Sequence, residues 1–300
     1  MVARRDLPAG RRAGLQTYIA SETMPGGAIR QGGFVHHRKM AGRDETYTPG
    51  YSANASDFMA QRRASTHAAF FTPRLRPGMR LLDCGCGPGT LTVDLAEIIT
   101  PGEAVGVDRE ATQVEAARRQ AQQRGASARF ETASIYELPF PAGYFDAAFS
   151  HALFEHLAEP LRALAEVKRV LKPGGFAGLR CPDWGGFLIH PSTGLLDQAI
   201  AYYRGLQTAN GGDVTAGRKL GSWLRQAGFR GVTMSAAYEI YCEPRRIAEY
   251  LALQIHPAPE ARPEADSEHR ITMAAELRRW CTDPDALFAQ AWCEVVGFAE

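Results

Sequence analysis

Three short stretches hold the residues able to do chemistry. The first is Asp83 followed by Gly85-Cys86-Gly87-Pro88-Gly89. Glycines at alternate positions let a ligand approach the backbone without meeting a Cβ. A helix starting at Thr90 points its unpaired N–H groups at the same turn. The second stretch is the apolar run Ala104-Val105-Gly106-Val107, closed by Asp108. A carboxylate at the carboxyl end of a parallel strand accepts hydrogen bonds from ribose hydroxyls. The third is His151, directly after the run Phe145–Ser150, with Glu155-His156 a turn further on. These positions describe a site for an adenosine-bearing ligand. His151 reads either as a general base where a second reactant arrives or as a residue whose backbone alone lines the ligand.

The elements that must hold these residues follow from periodicity. Pro77-Gly78 opens the core, and strands are expected at 80–84, 104–108, 128–132, 145–150 and 176–181. Between them lie helical patterns at 90–99, 110–124 and 161–171. Strand and helix alternating at this rhythm argue for a parallel sheet with right-handed crossovers. The turn Lys172-Pro173-Gly174-Gly175 reads as a helix stop and nothing more. Beyond it, Pro182–Gly186 is expected to leave the sheet edge, with helices at 195–207 and 215–227 and strands at 232–241 and 288–298. Pro244 opens an insertion to about residue 284, with helices near 246–254 and 271–281. Upstream, Asp57–Phe71 reads as one amphipathic helix. Residues 1–45 have little apolar periodicity and read as a flexible leader, with Met24 and Met40 as alternative starts.

The motifs DCGCGPG, VGVD, LPFPAGYFDAAFSHALFEHL and LKPGG together resemble the class I S-adenosylmethionine-dependent methyltransferases, whose fold is seven-stranded and Rossmann-like. The branch resembled includes ubiquinone, menaquinone and many small-molecule methyltransferases. The motifs are dense over residues 79–176 and looser over 215–298. The resemblance implies a mostly parallel α/β sheet with an antiparallel last strand, helices on both faces and helical lid insertions. It implies a methyltransferase domain over 46–300, with a cofactor core at 75–182 and lid or substrate segments at 46–71, 183–214 and 242–284. Asp108 is then the ribose ligand, beside Arg109, and Gly85, Cys86, Gly87 and Gly89 form the loop along the cofactor. Asp83 orders that loop and helps bind the methionine amino group, or caps turn amides. The family commonly has an Asp on the adenine amino group where this chain has Ser134, a weaker acceptor, followed by Ile135 for packing. Ser150 ends the fourth strand at the same edge. Tyr47 or Tyr51 would cover the cofactor, or simply pack at the Pro49-Gly50 turn. Glu155-His156 is read as structural support. Trp184 and His190 stand where they would touch substrate or pack at the surface.

The implied activity moves a methyl group to a nitrogen, oxygen or carbon of a small molecule, with S-adenosylmethionine as cofactor. Two rivals share the pattern. A NAD-dependent oxidoreductase fits the strand–turn–helix, but Thr90 occupies the sixth position of G-x-G-x-x-G. A cyclase or regulatory homologue would bind the cofactor without transferring methyl. Lys+Arg at 34 against Asp+Glu at 33 leaves no footprint for nucleic acid. No stretch is long and apolar enough for a membrane span, and no secretory signal pattern is present. The expected setting is cytoplasmic, with a homodimer possible. Six cysteines show neither disulfide framework nor metal spacing, so reduced thiols and no metal site are expected.

Overall fold

The computed structural model describes residues 46–50, 59–256 and 267–300. Seven strands form one sheet: β1 (Arg80–Cys84), β2 (Glu103–Asp108), β3 (Ala128–Thr132), β4 (Phe145–His151), β5 (Leu171–His190), β6 (Phe229–Ile240) and β7 (Leu287–Ala299). Their spatial order is β3-β2-β1-β4-β5-β7-β6. The first five pair in parallel, and β7 runs antiparallel between β5 and β6. The order reverses direction between β1 and β4, which is where open α/β sheets bind ligands beyond the strand ends.

The pleat explains how the sheet is clothed. Leu81 and Leu82 are both fully buried but point to opposite faces. Leu81 packs with Leu91, Leu95 and Ile99 of helix α1 (Thr90–Ile99) and with Phe71 and Phe149. Leu82 packs on the other face with Leu164 and Val167 of α3 (Pro160–Val170) and Leu220 of α5 (Ala216–Gln226). In chain order, α2 (Ala111–Arg124) falls between α1 and α3, and α4 (Gly194–Ala209) between α3 and α5. In α5 the buried positions Ala216, Gly217, Leu220, Gly221 and Leu224 recur at three- and four-residue spacing. Burial of each leucine there contributes roughly 1.5–3 kcal/mol.

A second core stands apart from the sheet faces. Helices α4, α6 (Pro244–Ile255) and α7 (Ser267–Trp280) pack on one another. Their apolar sides enclose Trp184, Leu196, Ile200, Leu251, Leu277 and Phe288. The insertion thus has its own hydrophobic centre, seated on the far ends of β5 and β7.

Two expectations need correction. The amphipathic stretch 57–71 is not one helix: Arg63 is extended (φ −130, ψ 144), and only a single turn, Ala64–His67, and a 3₁₀ turn, Thr72–Arg74, follow it. The cause is tertiary, because the Ala64 N–H is capped by the Asp94 carboxylate of α1 at 2.9 Å. The fifth strand does not stop at Cys181. It continues through a bulge between Asp183 and Phe187 to His190, held by β7. The leader 1–45, the stretch 51–58 that contains Tyr51, and the linker at 257–266 lie outside the described residues. Among those described, no helix is long and apolar enough to cross a membrane.

Candidate functional site

At the carboxyl ends of β1, β2 and β4 the chain opens into a cleft of about 1090 Å³, counting space open to solvent. Asp83 ends its run on β1, where its carboxylate accepts a 2.6 Å hydrogen bond from the Thr92 hydroxyl. Burial pushes its pKa up to about 7 despite that bond, with the nearby Asp108 adding to the rise. Asp108 accepts from the Gly87 and Glu110 N–H groups, each at 3.0 Å. Burial raises its pKa as well, opposed by those two bonds. Both carboxylates line the cleft, desolvated, where a ligand bearing hydroxyl or ammonium donors would favour their ionised form.

The glycine turn shows two different uses of the residue. Gly89 has φ +81, and a Cβ there would sit 2.6 Å from the Ala117 Cβ, so it lets α1 start hard against α2. Gly87, at φ +50, has nothing closer than 4.0 Å to the place of a Cβ. Its backbone therefore faces open space in the cleft wall, as a close-approaching ligand requires. An adenosyl ligand fits this cradle: the cleft combines open backbone at Gly87, the Asp108 carboxylate and the side of Ile135, with Gly85 in its wall, where a Cβ would sit 3.1 Å from the Leu153 side chain.

Of the residues singled out from sequence, Tyr47, Asp83, Gly85, Cys86, Gly87, Asp108, Arg109, Ser134, Ile135 and His151 all line this cleft. Gly89 does not; it acts through packing. Cys86 contributes backbone, since its thiol side packs with Val93, Val114, Ala117 and Phe130. Ser134 is exposed and its hydroxyl accepts from the Tyr136 N–H at 3.2 Å. Ser150 is buried at the end of β4 and is not among the residues lining the cleft; its hydroxyl donates to the Cys84 carbonyl at 2.9 Å, tying β4 to β1. His190 is exposed, whereas Trp184 is buried within the second core.

His151 is fixed by a buried ionic cluster. Its Nε2 accepts from Arg180 at 2.7 Å, while Nδ1 has no partner. A donor on Nε2 leaves the proton of the neutral ring on Nδ1. Burial, then the charges of Arg62 and Arg180 and the neighbouring His67, hold its pKa well below the ordinary value. With its lone pair engaged, His151 in this arrangement does not present a free base to the cleft.

A second chamber of about 550 Å³ adjoins the first. Tyr47, Met59, Arg62, Ala152 and His156 belong to the walls of both. Beyond that shared wall the chamber is lined by Trp184, Tyr203, Tyr241, Tyr250 and Trp292, with Glu155, Gln207 and Gln290 among them. Tyr47 stacks edge-on against His156, ring centres 4.7 Å apart. The phenol oxygens of Tyr203 and Tyr250 are 3.1 Å apart. Sequence reasoning found Trp184 but missed the remaining aromatic wall and Arg62. Those residues come from segments up to 230 positions apart, Arg62 to Trp292, with no local pattern to join them. Glu155 did carry a signal, a buried acid beside a histidine after the fourth strand.

This sheet order, the antiparallel seventh strand and the cleft at the switch point are those of a class I S-adenosylmethionine-dependent methyltransferase, and S-adenosylmethionine is the cofactor. Residues 82–179 match the family described as methyltransferase domain. The chain is 28% identical over 259 residues to an uncharacterized methyltransferase of Schizosaccharomyces pombe, covering 81% of this chain and 92% of that one. It is 38% identical over 120 residues to the demethylmenaquinone methyltransferase of Thermus thermophilus, covering 40% of this chain and 52% of that protein. The crystal structure of YcgJ from Bacillus subtilis superposes with a TM-score of 0.55 at 20% identity, covering 82% of this chain and 97% of that one.

Proposed function

We propose that the chain methylates a small molecule held in the second chamber, with the cofactor in the first cleft. The observation that carries this reading is the shared wall: Tyr47, Met59, Arg62, Ala152 and His156 face both spaces. Two ligands seated in them would meet across that wall. Bound, the cofactor supplies an electrophilic methyl carbon on a sulfonium.

The chain's own residues then have separable tasks. Asp108 would accept the ribose hydroxyls and Asp83 would face the methionine ammonium. Gly85 and Gly87 would let the ligand lie on backbone, with Arg109, Ser134 and Ile135 at the adenosine end. Tyr47 would close over the junction and exclude water, which raises the worth of each polar contact inside. The aromatic chamber would orient the acceptor for in-line approach, the part of the barrier that positioning can remove.

Asp108→Ala tests the cofactor assignment. Loss of hydrogen bonds to a charged acceptor is expected to weaken S-adenosylhomocysteine binding about 10- to 100-fold by calorimetry. Unchanged affinity in a folded variant refutes the assignment. Binding of NADH without S-adenosylhomocysteine would replace the cofactor reading itself. A product heavier by one methyl group separates transfer from a non-methylating homologue.

A further inference from the structure

The second chamber has buried hydrogen-bonding atoms without partners, and most of them are acceptors. Among the described residues these are Glu155 Oε2, Gln207 Oε1 and Gln290 Oε1, against one certain donor, Trp292 Nε1, and one ring nitrogen, His156 Nδ1, that serves as either according to its tautomer. Glu155 is 3% exposed and the two glutamines 1% each. Neither glutamine is free to turn its amide around. Gln207 Nε2 donates to the Glu155 carbonyl at 3.1 Å, and Gln290 Nε2 to the Asp183 carbonyl at 2.7 Å. An unsatisfied buried acceptor is costly, and three in one chamber call for a ligand that arrives with N–H or O–H groups. The surrounding Tyr and Trp rings suit a flat ring that stacks or meets them edge-on.

We propose that this chamber takes a ring-bearing small molecule whose methyl-accepting atom is a nitrogen or oxygen still carrying hydrogen, and that Glu155 is the base that receives that hydrogen. The inference rests on the reading that the adjoining cleft holds the cofactor. The acceptor's lone pair forms the bond to the methyl carbon and the methyl–sulfur bond breaks toward sulfur, leaving a neutral thioether. The N–H or O–H proton passes to the Glu155 carboxylate. No oxidant or further reactant is needed.

The other titratable groups leave this task to Glu155. His151 has its lone pair on Arg180. Burial brings the His156 pKa down to about 3, too weak a base for an amine or phenol at neutral pH. The groups facing Glu155 are Arg62, His156, Cys181, Tyr47, Tyr203 and Tyr250. Burial lifts the Glu155 pKa to about 7, partly offset by the Cys181 thiol and by Arg62. The carboxylate is therefore available above neutrality and filled with its own proton below. Arg62, in the wall of both chambers, is placed to steady an oxygen that loses its proton. A carbon acceptor would leave all three oxygens without partners.

The test uses four probes on the full chain: catechol and phenethylamine, and their capped forms veratrole and N,N,N-trimethylphenethylammonium. Each is titrated by calorimetry at pH 7 and pH 8, with and without S-adenosylhomocysteine. At least one hydrogen-bearing probe is expected to bind about tenfold or more tightly than its capped form. Preference in the catechol pair assigns a hydroxyl acceptor, and in the amine pair an amine. Binding near pH 7 is expected to release protons, read in buffers of different ionisation enthalpy, because the donor favours the carboxylate form. Glu155→Gln is expected to lose that release and most of the preference while keeping its S-adenosylhomocysteine affinity. Equal affinity within both pairs, no binding of any probe, or an unaltered proton release in Glu155→Gln overturns the proposal. The capped-versus-uncapped comparison on the unmodified chain decides it even where the variant does not fold. Failure of S-adenosylhomocysteine to bind, with the probe preference intact, refutes the cofactor reading and leaves the chamber's chemistry standing.

Discussion

Arg180 is the residue on which the acceptor end of the sheet depends. It is 4% exposed on β5 and reaches three neighbouring strands: His151 on β4 at 2.7 Å, Glu294 on β7 at 3.3 Å and Glu239 on β6 at 3.1 Å. Its guanidinium also lies 4.2 Å from the centre of the Trp292 ring. The outer contacts close the cluster, with Ser235 donating to Glu294 at 2.7 Å and His67 facing Glu239 at 3.4 Å. Burial alone would raise the Glu239 pKa, yet His67 and Arg180 bring it down to about 2, so the acid is ionised. Removing the central cation strands the buried Glu294 and leaves the half-buried Glu239 with His67 alone. Arg180→Leu is therefore expected to cost about 3–5 kcal/mol in urea unfolding at pH 7, and adding Glu294→Gln should recover part of it. A loss under 1 kcal/mol would mean that the cluster holds no structural weight.

At the level of elements, legibility followed how local the deciding contacts are. The strand–turn–helix from Arg80 to Ile99 was readable because its cause lies within it: an apolar run, Leu81 and Leu82, buried on both faces of the sheet, then a turn that only glycine fits. Gly89→Ala tests this, since the new Cβ would sit 2.6 Å from the Ala117 Cβ in a backbone with φ +81. The variant is expected to lose about 1–3 kcal/mol of stability by thermal unfolding and to bind S-adenosylhomocysteine more weakly as the turn shifts. Unchanged stability and affinity would show that the corner is pliable. The length of β5 was not readable. Pro182, Gly185 and Gly186 look like a loop, yet Pro182 pairs with Trp292 and Phe187 with Gln290, partners more than a hundred residues away. The broken helix before the core had the same origin, a cap supplied by Asp94 from another element. The candidate site divided likewise. Its cofactor half sits on consecutive strand ends and could be named from motifs, whereas the aromatic chamber is assembled from remote segments.

Across the whole molecule, each chamber is lined by an acid whose ionised state burial penalises. Burial lifts Asp83 and Glu155 each to about 7, against ordinary values of 3.8 and 4.5. A raised pKa in the folded chain means that folding retains protons the unfolded chain releases. The contribution to stability is then complete below pH 4, falls as pH rises through the window from about 4 to about 7, and is flat beyond it. Glu239 has the opposite sign, since its depressed pKa contributes stability above its ordinary 4.5 that is lost as pH falls toward 2. Glu155→Gln removes one of the two buried acids without changing shape. The variant is expected to be more stable than the unmodified chain at pH 8, by on the order of 2–3 kcal/mol, with the advantage gone by pH 4. Urea unfolding at both values checks this, and an equal difference at pH 4 and pH 8 would show that Glu155 is not held protonated by burial. A polar wall that lowers the stability of the empty fold at the pH where its carboxylate ionises is one that a donor-bearing ligand would relieve. The same ionisation that weakens the free chain as pH rises toward 7 would then tighten its hold on the acceptor.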